Sequence, residues 1–269
     1  MIMSTGTRIS EGNRKMGTVP SVSLLPVATC APDVPCKTEC YVVRNMLRGP
    51  HAEAVRKAYS ANTVLAKGDP EQYWQGITEY LQRRKPERFR YHVSGDMLSV
   101  DYLRNMVAVA ERFPATRFLA FTKRFDLVAS YKESGGMFPA NLCIRLSQWY
   151  GRTSTLALPR AWFVDVSRAF DSRFDAEYDA LAAQGIVCAG SCAECSLCWD
   201  NSVRDIAFHR HKALASEKAS SVRPAHMGSL LAFSFAPASI RKPTLQTSPT
   251  SPPRRLVSKR SGRTRRAGA

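Results

Sequence analysis

The sequence predicts an α/β fold of five to six mostly parallel strands alternating with helices, as an open sheet or a partial barrel. A Cys-rich C-terminal segment and a disordered basic tail follow it. Three observations lead there. Short β-type runs alternate with helical patterns of about 10–15 residues from Gly12 to Lys212. A hydrophobic content of 44% with four Trp is enough for a real core. The basic residues and the eight cysteines are clustered rather than spread.

The elements follow in order. Residues 1–11 are polar and read as a flexible N-terminus. Ser21–Ala28 (SVSLLPVA) is the first strand. Residues 38–48 and 51–67 read as helical, as does Glu71–Arg84, where Tyr73, Trp74, Ile77, Tyr80 and Leu81 recur at helical spacing. Pro70 suits the first turn of that helix, where a missing N–H is harmless. Phe89–Ser94 is a strand. Val100–Phe113 is a helix with Ser99 as N-cap and Pro114 as its stop. Arg117–Thr122 is a strand, Phe125–Glu133 a helix ended by Gly135-Gly136, and Asn141–Ser147 and Ala161–Val166 two further strands. Gly185–Val187 offers a last short one. Residues 213–240 read as a linker.

Charge separates the tail from the rest. The chain has 39 Lys+Arg against 22 Asp+Glu, a formal net charge of +17. Nine of the basic residues, and no acid, fall in 241–269, which leaves +8 for residues 1–240. The tail is rich in Pro, Ser and Thr and cannot bury a core, so it is expected to be disordered. Such a polycation either tethers nucleic acid without reading sequence or only solubilises the chain. No aromatic is interleaved for base stacking. No apolar run reaches the roughly 20 residues of a membrane helix, and the N-terminus lacks an apolar signal core. A cytoplasmic location is expected.

The cysteines fall into Cys30, Cys36 and Cys40, then Cys143 alone, then Cys188, Cys192, Cys195 and Cys198. They are too dilute for a disulfide scaffold, and clustering without an export signal points to metal or iron–sulfur ligation. Three thiolates on a loop after a strand can hold three irons of a four-iron cluster and leave the fourth open. Zinc completed by a His or by Cys143 is the competing chemistry. The second group can close a metal shell. Its compact spacing favours a cluster over zinc, which usually takes two separated CxxC pairs. Cys143 itself, in an apolar strand, reads as a buried small hydrophobe.

Other strand ends are polar. Ser94-Gly95-Asp96 follows the second strand: Gly95 lets a ligand approach backbone closely, and the Asp96 carboxylate can hold an ammonium group. An ordinary turn with Asp96 as a cap competes with that reading. Lys123 at the third strand end can bind a carboxylate or phosphate, or simply be solvated. His92 reads as a satisfied core histidine. The fourth strand ends in Arg145-Leu146-Ser147-Gln148 and the fifth in Asp165. Functional residues belong at such C-terminal strand ends.

These stretches resemble the phage gene product 88 family over roughly residues 12–212. The likeness rests on Asn13-Arg14-Lys15-Met16-Gly17, SVSLLPVATC through Cys40-Tyr41, HVSGDMLSVDYLRNMVAVAERFP with FLAFTK, and Cys192-x2-Cys195-x2-Cys198-Trp199. It implies a phage or prophage gene expressed in a bacterial cytoplasm. More distantly, the layout resembles radical S-adenosylmethionine enzymes, which carry three Cys after the first strand and a Gly-Gly-Glu-like motif after the second. Here the cysteine gaps are five and three, Tyr41 follows the last Cys, and Asp96 stands for the longer Glu. The resemblance implies a four-iron cluster on Cys30, Cys36 and Cys40, with S-adenosylmethionine held near Ser94, Gly95, Asp96 and Lys123. Cys188, Cys192, Cys195 and Cys198 would hold an auxiliary or structural cluster. A non-enzymatic zinc or cluster protein that binds nucleic acid is the alternative.

Overall fold

The computed structural model describes residues 6–38, 40–47, 51–149, 151–164, 176, 179–181, 183–192 and 194–209. Asp165, the linker 213–240 and the basic tail 241–269 lie outside them.

Seven strands form one sheet in chain order. They are β1 (Ile9–Ser10), β2 (Ser21–Val22), β3 (Arg88–Tyr91), β4 (Arg117–Thr122), β5 (Leu142–Gln148), β6 (Arg160–Val164) and β7 (Asp205–His209). β1 pairs antiparallel with β2, and every later pair is parallel. The helices with described bounds are α1 (Tyr41–Leu47), α2 (Ala52–Gly68), α3 (Pro70–Arg84), α4 (Val100–Arg112) and α5 (Phe125–Glu133). Strand order never reverses. With right-handed crossovers, each connection from β2 to β5 therefore falls on the same face of the sheet.

The core bears this out. Trp74, Ile77 and Leu81 of α3, Leu103 and Met106 of α4 and Val128 of α5 join one apolar cluster. Phe89 and Tyr91 of β3, Phe118 and Ala120 of β4, and Leu142, Ile144 and Leu146 of β5 belong to the same cluster. The intervening strand residues face the other way, as the two-residue period requires. There Leu119 and Cys143 meet Met16, Val19 and Trp199 in a second cluster, with Cys192 and Cys198 against it. Helices thus cover one face, and the N-terminal loop and Cys-rich segment cover the other.

Local signals explain the helix ends. The Ser99 hydroxyl accepts from Tyr102 N–H at 3.1 Å and caps α4. Asp69 caps α3 by accepting from Gln72 N–H, and Lys85 ends it in the left-handed region at φ 45°.

Three expectations need correction. The sheet has seven strands rather than five to six: β1 and β7 were not expected, and Val187 forms only an isolated bridge to Ala207. The first parallel strand is two residues long, Ser21–Val22, and the turn that begins at Pro26 lies outside the sheet. Residues 6–11 are not free. Thr7 is buried and donates to Tyr73 O at 2.6 Å, and Arg8 N–H donates to Asn62 Oδ1 at 2.7 Å. The Thr7 hydroxyl and the Arg8 main chain are thus satisfied by partners distant in the chain, which no local pattern shows.

Candidate functional site

The C-terminal ends of β2, β3 and β4 meet at the first cysteine loop. Thr29, one residue before Cys30, welds that loop to the Ser94-Gly95-Asp96 turn. Its hydroxyl donates to Leu25 O at 2.8 Å and accepts from Asp96 N–H at 3.1 Å. Leu24 N–H donates to Ser94 O at 3.0 Å. Gly95 has φ 76°, and a Cβ there would lie 2.5 Å from Thr29 Oγ1 and 2.8 Å from Leu24 Cβ, so only glycine fits. Val27 and His92 also hold left-handed backbone, at φ 68° and 56°. For a β-branched residue this is a genuine outlier, and such strain clusters at ligand sites.

Asp96 is buried and already engaged. Oδ1 accepts from Met97 N–H at 2.9 Å and Thr122 Oγ1 at 2.7 Å, and Oδ2 accepts from Lys123 N–H at 2.8 Å. Burial raises its pKa, opposed by those three donors. Asp96 therefore staples the end of β3 to the end of β4, and one acceptor site on Oδ2 is left for an ammonium group. The Ser94 hydroxyl, also buried, has no partner among the described residues. His92 is buried, bonds Tyr102 OH through Nε2 at 2.9 Å, and leaves Nδ1 unpartnered. Burial, with the charge of Arg90, pushes its pKa down to about 3. It is neutral and only half satisfied, not the fully satisfied core histidine expected.

Cys30, Cys36 and Cys40 stand within electrostatic reach of one another, and Cys30 also feels Asp96. Burial, then the Asp96 charge, pushes the Cys30 thiol up to about 12. Burial also raises Cys40, whose sulfur the Val42 and Val43 amides and the Lys123 charge pull back. Cys36 lies in a 3-10 turn, Pro35–Lys37, and Cys40 immediately precedes α1. Arg152 ties the loop to the sheet: it pairs with Asp33 and donates through Nη2 to Lys123 O at 2.8 Å. The Lys123 ammonium lies 5.2 Å over the Trp149 ring and 5.5 Å over Phe163. It lies over this aromatic pair, and its charge is felt by both Cys40 and Asp96.

The second cysteine group lies on the face of the sheet away from α3, α4 and α5. Cys188 N–H donates to Ala207 O at 2.8 Å, and Cys192 N–H to Lys15 O at 2.9 Å. Cys198 sits in a 3-10 turn, Leu197–Trp199. Burial pushes its thiol up to about 12, against the pull of Arg145. Cys192 and Cys198 both feel Cys188, and Cys192 feels Cys195. The structure thus keeps the two cysteine groups on separate loops. Cys143 is buried with the second group, in line with its reading as a small hydrophobe.

The donor types fit metal–thiolate chemistry: three thiols in one loop beside two orphaned buried polar atoms, and four thiols in another. Among the described residues no three His, Cys, Asp or Glu side chains are placed around one point to hold an ion. Sequence reasoning placed Arg145 at a strand end without giving it a role, and missed Arg90, Arg152 and Thr29. Arg145 gave a signal, a cation at a strand position whose neighbours are all apolar. Thr29 and Arg152 act through loop-to-loop contacts that no local pattern encodes.

No curated protein and no solved structure matches the chain. Residues 4–201 match the family described as Gene product 88, which takes in the whole strand-end site and both cysteine loops. The chain belongs to the phage gene product 88 family.

Proposed function

We propose that the chain binds an open-site four-iron cluster through Cys30, Cys36 and Cys40 and works with S-adenosylmethionine as a radical enzyme. The observation that carries this reading is the hydrogen-bonded junction, through Thr29, of the three-cysteine loop with the Ser94-Gly95-Asp96 turn at the C-terminal ends of β2–β4. The uninterrupted run of parallel strands from β2 to β7, with helices on one face, supports it: in barrel-type sheets chemistry collects at that end. A bound cluster would supply an electron to cleave the sulfonium of S-adenosylmethionine. The chain's residues supply the rest. Ser94 Oγ and the free acceptor site of Asp96 Oδ2 receive the amino group, Gly95 lets the turn pack directly on Thr29 and Leu24, and Lys123 offers a cation for the carboxylate. Thr29 and Arg152 hold the cysteine loop against them.

Anaerobically purified full-length protein tests this. Iron with sulfide and a brown colour are expected, with iron lowered when Cys30, Cys36 and Cys40 become Ser. Calorimetric titration with S-adenosylmethionine should show binding that the same replacement abolishes. Colourless protein holding stoichiometric zinc would end the reading.

A further inference from the structure

We propose that Cys188, Cys192, Cys195 and Cys198 form a closed four-thiolate metal site whose negative charge is neutralised by the buried guanidinium of Arg145, with Arg90 beside it. Arg145 is fully buried on β5. Its Nε donates to Cys198 O at 2.9 Å, and its Nη2 to Leu197 O at 2.8 Å and Asp200 O at 2.9 Å. All its partners are main-chain carbonyls, and among the described residues no carboxylate lies within ion-pair distance of it. The Asp200 side chain is turned to Ser202, whose N–H and hydroxyl it accepts at 2.8 and 2.7 Å. A buried cation without an anion is costly, and folded proteins pair such charges.

Arg90 repeats the pattern. Its Nε is buried without a partner, its Nη1 reaches only Met16 Sδ at 3.4 Å, and it lies 4.9 Å over the Phe121 ring. Cys192 and Cys198 both feel its charge. Arg88 adds a grip on the same segment, donating from Nη1 to Cys192 O and Cys195 O at 3.4 Å each. Arg88 has Glu87 as its anion, so the missing anion is sought beside Arg145 and Arg90, and the Cys198 thiol feels both of those charges. Four thiolates around a divalent ion, or around a four-iron cluster, keep a net negative charge. The Gly190 N–H already points at Cys188 Sγ at 3.4 Å, the kind of amide-to-sulfur contact that tunes metal-bound thiolates. The site owes nothing to the cluster assigned to Cys30, Cys36 and Cys40.

The test uses the full chain with Cys30, Cys36 and Cys40 replaced by Ser, so that remaining metal reports on the second group alone. Iron, sulfide and zinc are assayed per chain, and affinity is read by chelator competition. Retained metal is expected, either iron with sulfide or zinc, and it should be lost with Cys195→Ser. Arg145→Met should weaken binding about tenfold or more, the scale of lost outer-sphere support, whereas Arg145→Lys should keep most of it. Should Arg145→Met fail to fold, Arg90→Met, which removes no carbonyl bond, reads the same effect. A parent chain with metal and a triple-Ser chain without it would overturn this site and leave the first standing. Unchanged affinity in the Arg145→Met or Arg90→Met chain would make the arginines mere carbonyl clamps and overturn the charge assignment.

Discussion

Val27, His92 and Gly95 place three left-handed residues within the two loops that build the strand-end site. Glycine is indispensable at only some such positions, and comparison with Gly135 separates the reasons. Gly135 has φ 81° and open space around it, so Gly135→Ala should cost only the backbone penalty, about 1 kcal/mol. At Gly95 a methyl also collides with Thr29 and Leu24, so Gly95→Ala should cost about 2–4 kcal/mol. Urea midpoints of the two variants check this; equal losses would mean the turn can move away from the cysteine loop. His92 gives a pH signature. Its folded pKa is about 3 against 6.5 for the free side chain, so the unfolded chain takes up a proton that the folded chain refuses. Its contribution is intact above about pH 6.5 and drains away as pH falls toward 3. Between pH 6.5 and 4.5 that amounts to about 2 kcal/mol at most. His92→Asn, which tolerates the left-handed backbone, should flatten the acid limb of stability by that amount. Parallel acid limbs in parent and variant would place the acid sensitivity elsewhere.

At the scale of elements, legibility follows how local each signal is. α4, β4 and α5 run within a residue of the expected bounds because cap, stop and period all lie inside the segment. Ser99 and Pro114 bracket α4, and Gly135-Gly136 follows α5. β1 and β7 escaped notice for opposite reasons. Ile9–Ser10 is too short to show alternation and exists through pairing with β2. Asp205–His209 is a good strand pattern that follows closely on a cysteine run which drew attention to metal. The site was legible in part. The strand-end positions of Cys30, Ser94-Gly95-Asp96 and Lys123 followed from alternation of strands and helices alone. That Asp96 spends its oxygens on Met97, Thr122 and Lys123 was not legible, since it depends on β3 and β4 ending side by side. The role of Arg145 depends equally on which face of β5 it occupies and on what covers that face.

At the scale of the whole molecule, the chain divides its clustered cysteines between the strand ends and one face of the sheet, and its charge between two regions. A sheet wound in one direction leaves the face away from α3, α4 and α5 to the N-terminal loop and the Cys-rich segment. Buried arginines there are committed to the Cys-rich segment and are not a surface for phosphates. Any nucleic-acid affinity is therefore expected from the nine basic residues of 241–269, which carry no acid among them. Each phosphate contact releases counterion, so log affinity should fall with log salt at about −0.9 per contact on duplex DNA. Nine cations set the ceiling on contacts. A salt series comparing the full chain with one ending at Ile240 measures this directly. Deletion should remove most of the binding and much of the salt slope, while metal content stays unchanged because no cysteine follows Cys198. Tight binding that survives the deletion, or that distinguishes one DNA sequence from another, would move the nucleic-acid surface onto residues 1–240 and favour a non-enzymatic nucleic-acid-binding protein over a radical enzyme.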